Sequence, residues 1–182
     1  MEIEVEKTQI EGLLVIRPLV LTDSRGCFFE SYNKITLQKH GIDVDFVQDN
    51  QSISRKNVIR GLHLQSPPFA QGKLVRVVQG RAMDVAVDIR KKSPTFGQHF
   101  AVELSAENNV MFWIPAGFAH GFVARDDNTV FLYKTSSYYN KASEMAIHPL
   151  DPVLNIDWGV ENPVLSDRDR ENPWFEMFVS PF

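Results

Sequence analysis

The strongest constraint on the fold is an alternating run, "GKLVRVVQGRAMDVAVDIR", which spans residues 72–90. In its second half Met83, Val85 and Val87 share one face of an extended chain. Asp84 lies on the other face, between alanines. A period of two with many β-branched residues is typical of β-strands and does not fit the 3.6-residue period of a helix. This stretch therefore predicts two strands, joined as a hairpin whose turn contains Gly80.

Similar strand patterns recur along the chain, with turn residues such as "AENN" and "RDDN" between them. Helix signals are confined to two short stretches, "SYNKITLQKHG" and "LSDRDRENP". Many short strands without long helices favour a sandwich or barrel over a parallel doubly wound sheet. We expect one all-β domain over residues 1–182, with strands at about 13–20, 45–54, 58–64, 97–105, 110–114, 118–124 and 128–137.

Composition excludes several classes of protein. The net charge of −4 provides no footprint for general nucleic-acid binding, although arginines gathered in a cleft could still bind a small anion. No stretch approaches the ~18 uninterrupted apolar residues that a membrane-spanning helix needs. Cys27 is the only cysteine, so no disulfide can form within the chain. These features predict a cytoplasmic protein that binds neither nucleic acid nor membranes.

Two histidine motifs raise the question of a metal site. "GLHLQ" contains His63, "PAGFAH" ends at His120, and together they resemble the paired motifs of the cupin jelly-roll barrel. Metal-binding cupins present His-x-His and a glutamate in the first motif, whereas this chain has His63-x-Gln65. Two histidines are fewer than the three or more ligands of a tight site, and Lys73 would repel a cation. The sequence predicts a site without metal or other cofactor, and the alternative requires an acid from elsewhere in the chain.

A pocket without metal that combines histidine, lysine and tyrosine suits one class of chemistry. A neutral histidine is a natural base near pH 7. A lysine ammonium stabilises a developing oxyanion, and a buried tyrosine can donate a proton from another direction. This set is suited to removing a proton next to a carbonyl and returning one on the opposite face. The expected reaction is an epimerisation or a related isomerisation.

Further motifs extend the resemblance to nearly the whole chain. In order and spacing the sequence is similar to the dTDP-4-dehydrorhamnose 3,5-epimerases over about residues 8–175. No single motif is decisive, but eight in register are highly specific. The matching motifs are "DSRGCFFESY", "FVQDNQSIS", "VIRGLHLQ", "QGKLVRVVQG", "SPTFGQHFAVELS", "WIPAGFAHGF", "FLYKTSSYYN" and "LSDRDRENP".

The resemblance implies a fold, a reaction and an assembly. The expected fold is a cupin-like jelly-roll barrel with N-terminal strands and one or two short helices. The expected reaction converts dTDP-4-dehydro-6-deoxy-D-glucose to dTDP-4-dehydro-L-rhamnose, with inversion at C3 and C5 and no cofactor. The resemblance also implies a homodimer in which N-terminal segments reach the neighbouring subunit.

The family's catalytic roles can be transferred to matching positions. His63 corresponds to the base that removes the C5 and C3 protons, and Asp169, in "SDRD", to the aspartate that orients it. Tyr133, in "FLYK", matches the proton donor on the opposite face of the sugar. Lys73 and His120 would surround the C4 oxygen and the ring.

Substrate-binding positions are also implied by the resemblance. Tyr139 matches an aromatic residue that stacks on thymine, and arginines suit the diphosphate oxygens. One departure is Arg168, where many relatives carry lysine, which keeps the charge. The positions that fall where the family contacts nucleotide, diphosphate or sugar are Arg25, Glu30, Gln48, Asn50, Arg60, Glu144 and Arg168.

Strand parity tests whether such a pocket can form. Along a regular strand His63 shares a face with Gln65, while Arg60 lies on the opposite face. Both can line one pocket only if the strand is interrupted between them, and Gly61 is a suitable place for a bulge. Three alternatives remain open at this stage: a 3-epimerase that inverts one centre, a metal-dependent cupin enzyme, and a cupin that only binds sugar nucleotides.

Overall fold

The computed structural model describes residues 2–182 and is built mainly of β-strands. Two short α-helices, α1 (Lys34–Lys39) and α2 (Asp167–Arg170), and 3-10 turns at Lys141–Ser143 and Phe175–Met177 complete the regular structure. The strands are β1 (Ile3–Lys7), β2 (Leu14–Pro18), β3 (Leu21–Asp23), β4 (Gly26–Phe28), β5 (Gln48–Ser54), β6 (Ile59–Gln65), β7 (Lys73–Gln79), β8 (Arg81–Asp88), β9 (His99–Ser105), β10 (Met111–Ile114), β11 (Phe118–Ala124), β12 (Thr129–Thr135) and β13 (Glu144–Ala146).

The strands form two facing antiparallel sheets, as a jelly roll requires. The six-stranded sheet has the order β1-β2-β10-β7-β12-β5, and the five-stranded sheet has the order β13-β6-β11-β8-β9. A separate two-stranded ribbon pairs β3 with β4. The prediction of an all-β, cupin-like barrel with short helices is confirmed.

The predicted hairpin around Gly80 is wrong. Its two strands belong to different sheets, since β7 pairs with β10 and β12 while β8 pairs with β11 and β9. Each strand already has a partner on both edges, so neither has a free edge for the other. Gly80, with φ of +73°, makes the corner where the chain crosses between sheets.

The "RDDN" turn, predicted to lie between two strands, likewise connects β11 in one sheet to β12 in the other. The polar side chains of this turn bind to neighbouring segments of the barrel. Asp126 pairs with Arg81, and Asp127 accepts a hydrogen bond from the backbone N–H of Lys56. Turn residues predict where a strand ends, but they do not determine which strand comes next to it.

Apolar side chains fill the space between the two sheets. Phe122 of β11 stacks on Phe131 of β12 with ring centroids 4.0 Å apart, which joins the five-stranded sheet to the six-stranded one. Burial of each such side chain is worth about 2–3 kcal/mol. A second cluster covers the outer face of the five-stranded sheet with residues from the C-terminal segment, including Trp158 and Phe175. The helix α1 covers part of the six-stranded sheet through Leu37.

The two helices lie within the stretches that predicted them but are shorter. Asn33 caps α1 by accepting a hydrogen bond from the Thr36 N–H. Ser166 caps α2 in the same way, through the Asp169 N–H at 3.1 Å. Within residues 2–182 none of the helices is long and apolar enough to span a bilayer.

Candidate active site

A cavity of about 570 Å³ lies between the walls of the barrel. Strands of both sheets and the segment around α2 contribute to its wall. Nine of the residues predicted to act in the site line it, which are His63, Lys73, Tyr133, Asp169, Arg60, His120, Tyr139, Glu144 and Arg168. The cavity also contains Gln65 and Ser166, which the sequence analysis did not assign to the site.

His63 reaches the cavity because β6 is interrupted at Gly61. Arg60 pairs with Phe122 and His63 pairs with His120, so the register shifts by one residue between these two pairs. Gly61 has a φ of +136°, and a Cβ atom there would lie 2.6 Å from the Cα of the facing glycine in β11. The bulge brings Arg60 and His63 to the same cavity, as the parity argument required.

The imidazole of His63 is held by a carboxylate from the C-terminal part of the chain. Its Nε2 lies 2.7 Å from Oδ1 of Asp169, whose side chain is only 6% exposed. Burial raises the pKa of Asp169, but hydrogen bonds and charge from His63, helped by Ser166 and Asn172, outweigh it and hold the pKa below its usual value. An ionised carboxylate accepts hydrogen bonds only, so Asp169 keeps a proton on Nε2. The basic nitrogen of His63 is then Nδ1.

Lys73 lies beside this pair at the start of β7. Its Nζ donates to the backbone carbonyl of His63 at 3.3 Å. Burial lowers the pKa of Lys73 to about 8, and the negative charges of Asp84 and Glu144 limit the fall. The side chain is therefore still mostly protonated at neutral pH, inside a low-dielectric wall where its charge acts strongly.

Tyr133 belongs to the other sheet, on β12, so its phenol and the His63 imidazole come from facing walls of the cavity. Burial raises the pKa of Tyr133, opposed by the charge of Arg60. The phenol therefore carries its proton at neutral pH. A neutral O–H is a suitable proton donor.

His120 lies deeper in the wall and has a partner that the sequence analysis missed. Its Nε2 is 2.8 Å from Oδ2 of Asp84, a side chain with no solvent exposure. Burial lowers the pKa of His120, and the hydrogen bond and charge of Asp84 only partly offset this. The signal that could have found Asp84 is its place in β8, where an acid on the face that carries the alanines points into the barrel.

Charged side chains form the rim of the cavity. Arg168 contacts Oε2 of Glu144 at 2.6 Å, and the Tyr139 hydroxyl donates to the same oxygen at 2.7 Å. Arg60 is held by Ser54 through a 3.0 Å hydrogen bond. Cations and an exposed aromatic ring thus surround the opening.

Four predicted residues do not line this cavity within the described part of the chain. Arg25 lies on the exposed β3–β4 ribbon and pairs with Asp23, and Glu30 precedes α1 and accepts from Asn33. Gln48 and Asn50 lie on β5 beside the cavity and hydrogen-bond to each other at 2.9 Å. Both share a strand face with Ser52, which does line the cavity.

The residues present do not fit a metal. The Nε2 atoms of His63 and His120 are both engaged by carboxylates, and the Lys73 ammonium lies next to His63. Among residues 2–182, no three His, Cys, Asp or Glu side chains are arranged to hold a metal ion.

Comparison with known proteins identifies the family. Residues 7–177 match the sequence profile described as dTDP-4-dehydrorhamnose 3,5-epimerase. The chain belongs to the dTDP-4-dehydrorhamnose 3,5-epimerase family. The enzyme of that name from Shigella flexneri is 54% identical over 164 residues, which cover 90% of this chain and 91% of the relative. The predicted family and its class, a carbohydrate epimerase, are confirmed.

Solved structures of epimerases share the fold. A Legionella pneumophila 3,5-epimerase in complex with dTDP-4-keto-L-rhamnose superposes with a TM-score of 0.94 at 47% identity, covering 98% of this chain and 95% of that one. A 3'-monoepimerase from Streptomyces bikiniensis in complex with dTDP-quinovose superposes with a TM-score of 0.87 at 34% identity, covering 92% and 85%. One fold therefore serves epimerases that invert different numbers of centres.

Proposed function

We propose that this chain converts dTDP-4-dehydro-6-deoxy-D-glucose to dTDP-4-dehydro-L-rhamnose by two proton transfers next to the C4 ketone, without a cofactor. The single observation that carries the proposal is the His63–Asp169 pair, 2.7 Å apart, in one cavity with the ammonium of Lys73. That combination supplies a base, its orienting carboxylate and a cation for the enolate. The family membership of the chain supports the choice of substrate.

His63 acts as the base at C3 and C5. The ketone at C4 acidifies both C–H bonds because the carbanion formed at either carbon delocalises onto the ketone oxygen. Nδ1 of His63 takes the proton, and Asp169 stabilises the imidazolium that results. Lys73 donates a charged hydrogen bond to the enolate oxygen, and His120 lies beside it in the wall.

Tyr133 completes each inversion. Its phenol delivers a proton to the carbon from the face opposite His63, which regenerates the C4 ketone with inverted configuration. His63 then releases its proton and Tyr133 regains one through solvent, so the reaction consumes no net proton. The opposed positions of β6 and β12 across the cavity support this assignment.

The rim is suited to a nucleoside diphosphate. We assign the diphosphate to Arg60 and Arg168, and the thymine ring to Tyr139. Glu144, Gln48 and Asn50 would contact sugar or nucleotide at the same opening. Arg and aromatic side chains at an exposed rim are the groups that recognise such ligands.

Arg25 and Glu30 would contact substrate in a homodimer. They lie away from their own cavity, on the ribbon and the segment that leads to α1. Within residues 2–182, the strand β1 pairs on one side only, with β2, so its outer edge is available for pairing with a second subunit. We propose that these N-terminal segments complete the partner's pocket.

The exposed thiol of Cys27 supports the cytoplasm as the location.

The test is solvent exchange. Incubation with dTDP-4-dehydro-6-deoxyglucose in deuterium oxide, without the next enzyme, should place deuterium at C3 and C5, and the His63→Ala variant should place none while remaining folded. Deuterium at C3 alone would indicate a single-centre 3-epimerase. Tight binding of dTDP without exchange would indicate a binding protein. Stoichiometric metal by elemental analysis, with exchange lost on its removal, would favour a metal-dependent cupin.

A further inference from the structure

Gln65 is a buried amide in the cavity wall, with 5% of its surface exposed. It lies two residues after His63 on β6. Its Nε2 donates to the backbone carbonyls of Phe69 at 2.7 Å and Tyr138 at 3.1 Å. Its Oε1 accepts from the backbone N–H of Asn140 at 2.7 Å. The whole side-chain amide is thus used to hold two loops at the mouth of the cavity.

Two of these bonds bracket one residue, Tyr139. The carbonyl before it and the N–H after it are both bonded to Gln65. The N–H of Tyr139 itself donates to Oε1 of Gln48 at 3.1 Å. The preceding carbonyl, that of Ser137, accepts from Gln71 at 2.7 Å. The backbone of this segment is therefore fixed by glutamine side chains rather than by a strand ladder.

The ring of Tyr139 depends on that backbone for its position. Tyr139 is 54% exposed, and its hydroxyl donates to Glu144 and interacts with Arg168. These contacts hold the outer end of the ring, and the hydrogen bonds of Gln65 to the backbone on either side hold its Cα. Both ends must stay in place for the ring to keep its position. A ring held in its binding position loses less entropy when a ligand stacks on it.

We propose that Gln65 is a positioning residue that holds Tyr139 in place to receive the nucleotide base of the substrate. This inference rests on the proposed function, which assigns the base to Tyr139. Gln65 acts through the loop and does not touch the reacting atoms. It therefore contributes to substrate affinity, whereas His63, two residues earlier, contributes to proton transfer.

The test is the Gln65→Met variant, which keeps the length of the side chain and removes all three hydrogen bonds. We expect the Kd for dTDP and the KM for the dTDP-sugar to rise about tenfold, within the range that base stacking on an aromatic ring provides. We expect kcat to change by less than about twofold. The matched control is Gln79→Met. Gln79 is the last residue of β7, at the end away from Lys73, and its side chain is exposed. This variant should leave the Kd for dTDP and the KM for the dTDP-sugar unchanged.

A double-mutant cycle with Tyr139→Ala separates the outcomes. If Gln65 acts through Tyr139, Gln65→Met has little further effect on dTDP binding once the ring is gone. Additive losses, or normal binding by Gln65→Met when Tyr139→Ala binds weakly, would overturn the positioning role and leave the proposed function intact. Normal binding by Tyr139→Ala would instead overturn the assignment of the base.

Hydrogen exchange provides a readout of the loop itself. The Asn140 amide, which donates to Gln65, should exchange faster in Gln65→Met than in the parent chain, with no change in the strands. Unchanged protection of this amide would contradict the proposal. If Gln65→Met does not fold, Gln71→Met removes another bond to the same segment from a half-buried position. It should weaken dTDP binding in the same direction, and normal binding would count against the role of the loop.

Discussion

Two histidine–aspartate pairs face each other across neighbouring strands, and they differ in depth. His63 on β6 and His120 on β11 are register partners, and each donates a hydrogen bond from Nε2 to a carboxylate 2.7–2.8 Å away. The His63 side chain is 35% exposed to the cavity, whereas His120 is 8% exposed and Asp84 is fully buried. The same chemical pair thus occurs at the mouth of the cavity and inside its wall.

The difference indicates which imidazole can act as a base. A group that takes a proton from substrate must become charged and later release that proton to solvent. His63 has access to solvent and an aspartate to stabilise its cation, whereas burial lowers the pKa of His120 and disfavours its charged form. We therefore expect depth in the wall, rather than the pairing itself, to separate a proton-transfer group from a fixed neutral one.

The largest expected effect is on turnover. His63→Asn should lower kcat by about 10³-fold because it removes the base, whereas His120→Asn should lower it by only about tenfold. Steady-state kinetics on both variants check this, with circular dichroism to confirm folding. Losses of equal size would mean that depth does not separate the two roles.

The second effect is on stability, where the variant of His120 should lose more than the variant of His63. His120→Leu should cost about 3 kcal/mol of unfolding free energy, because it leaves the buried Asp84 carboxylate without its partner. His63→Leu should cost less, about 1–2 kcal/mol, because the buried Asp169 carboxylate keeps Asn172 as a donor. Denaturant unfolding of the two variants, which have the same side chain, measures the difference. A more costly His63→Leu would reverse the comparison.

The third effect distinguishes the two carboxylates. Asp169→Asn should lower kcat by about 10- to 100-fold with little change in KM, because the amide no longer fixes the His63 tautomer. Asp84→Asn should change kcat less at pH 7, but it should lower the pH above which activity falls, because the Asp84 charge supports the protonated form of Lys73. Kinetics as a function of pH separate the two variants, and a normal kcat in Asp169→Asn would refute the orienting role.

The smallest effect concerns Lys73 directly. Its ammonium loses a proton as the pH rises through about 8, so kcat/KM should fall by about tenfold per pH unit above that value. Tyr133 cannot cause this limb, because burial raises its pKa from an already alkaline value. Lys73→Arg keeps its charge and should remove the limb, even if its rate is lower. If the alkaline fall in kcat/KM persists in Lys73→Arg, another group is responsible for it.

The strands were largely predictable, whereas their neighbours were not. The strand patterns located β10 and β11 to within a residue because hydrophobic patterning is a local property of the chain. The prediction that β7 pairs with β8 was wrong because the turn at Gly80 is equally compatible with a hairpin and with a crossing between sheets. Only the saturation of both edges of β7 by β10 and β12 decided the matter.

The site shows the same division between local and distant information. The bulge at Gly61 was predicted from parity, because Arg60 and His63 could not otherwise share a pocket. Asp84 was missed, although its alternating face was visible, because its partner His120 lies 36 residues away. Arg25 was predicted to bind substrate, yet within this chain it pairs with Asp23 on an exposed ribbon.

By itself the sequence determined the period of the strands, the residue types that the chemistry needs and the family to which the chain belongs, since each is written in local order and spacing. The tertiary structure decided which sheet each strand joined, which carboxylate met which imidazole, and how deep each pair lies. Those outcomes depend on edges, distances and exposure to solvent, which exist only after distant segments have packed together.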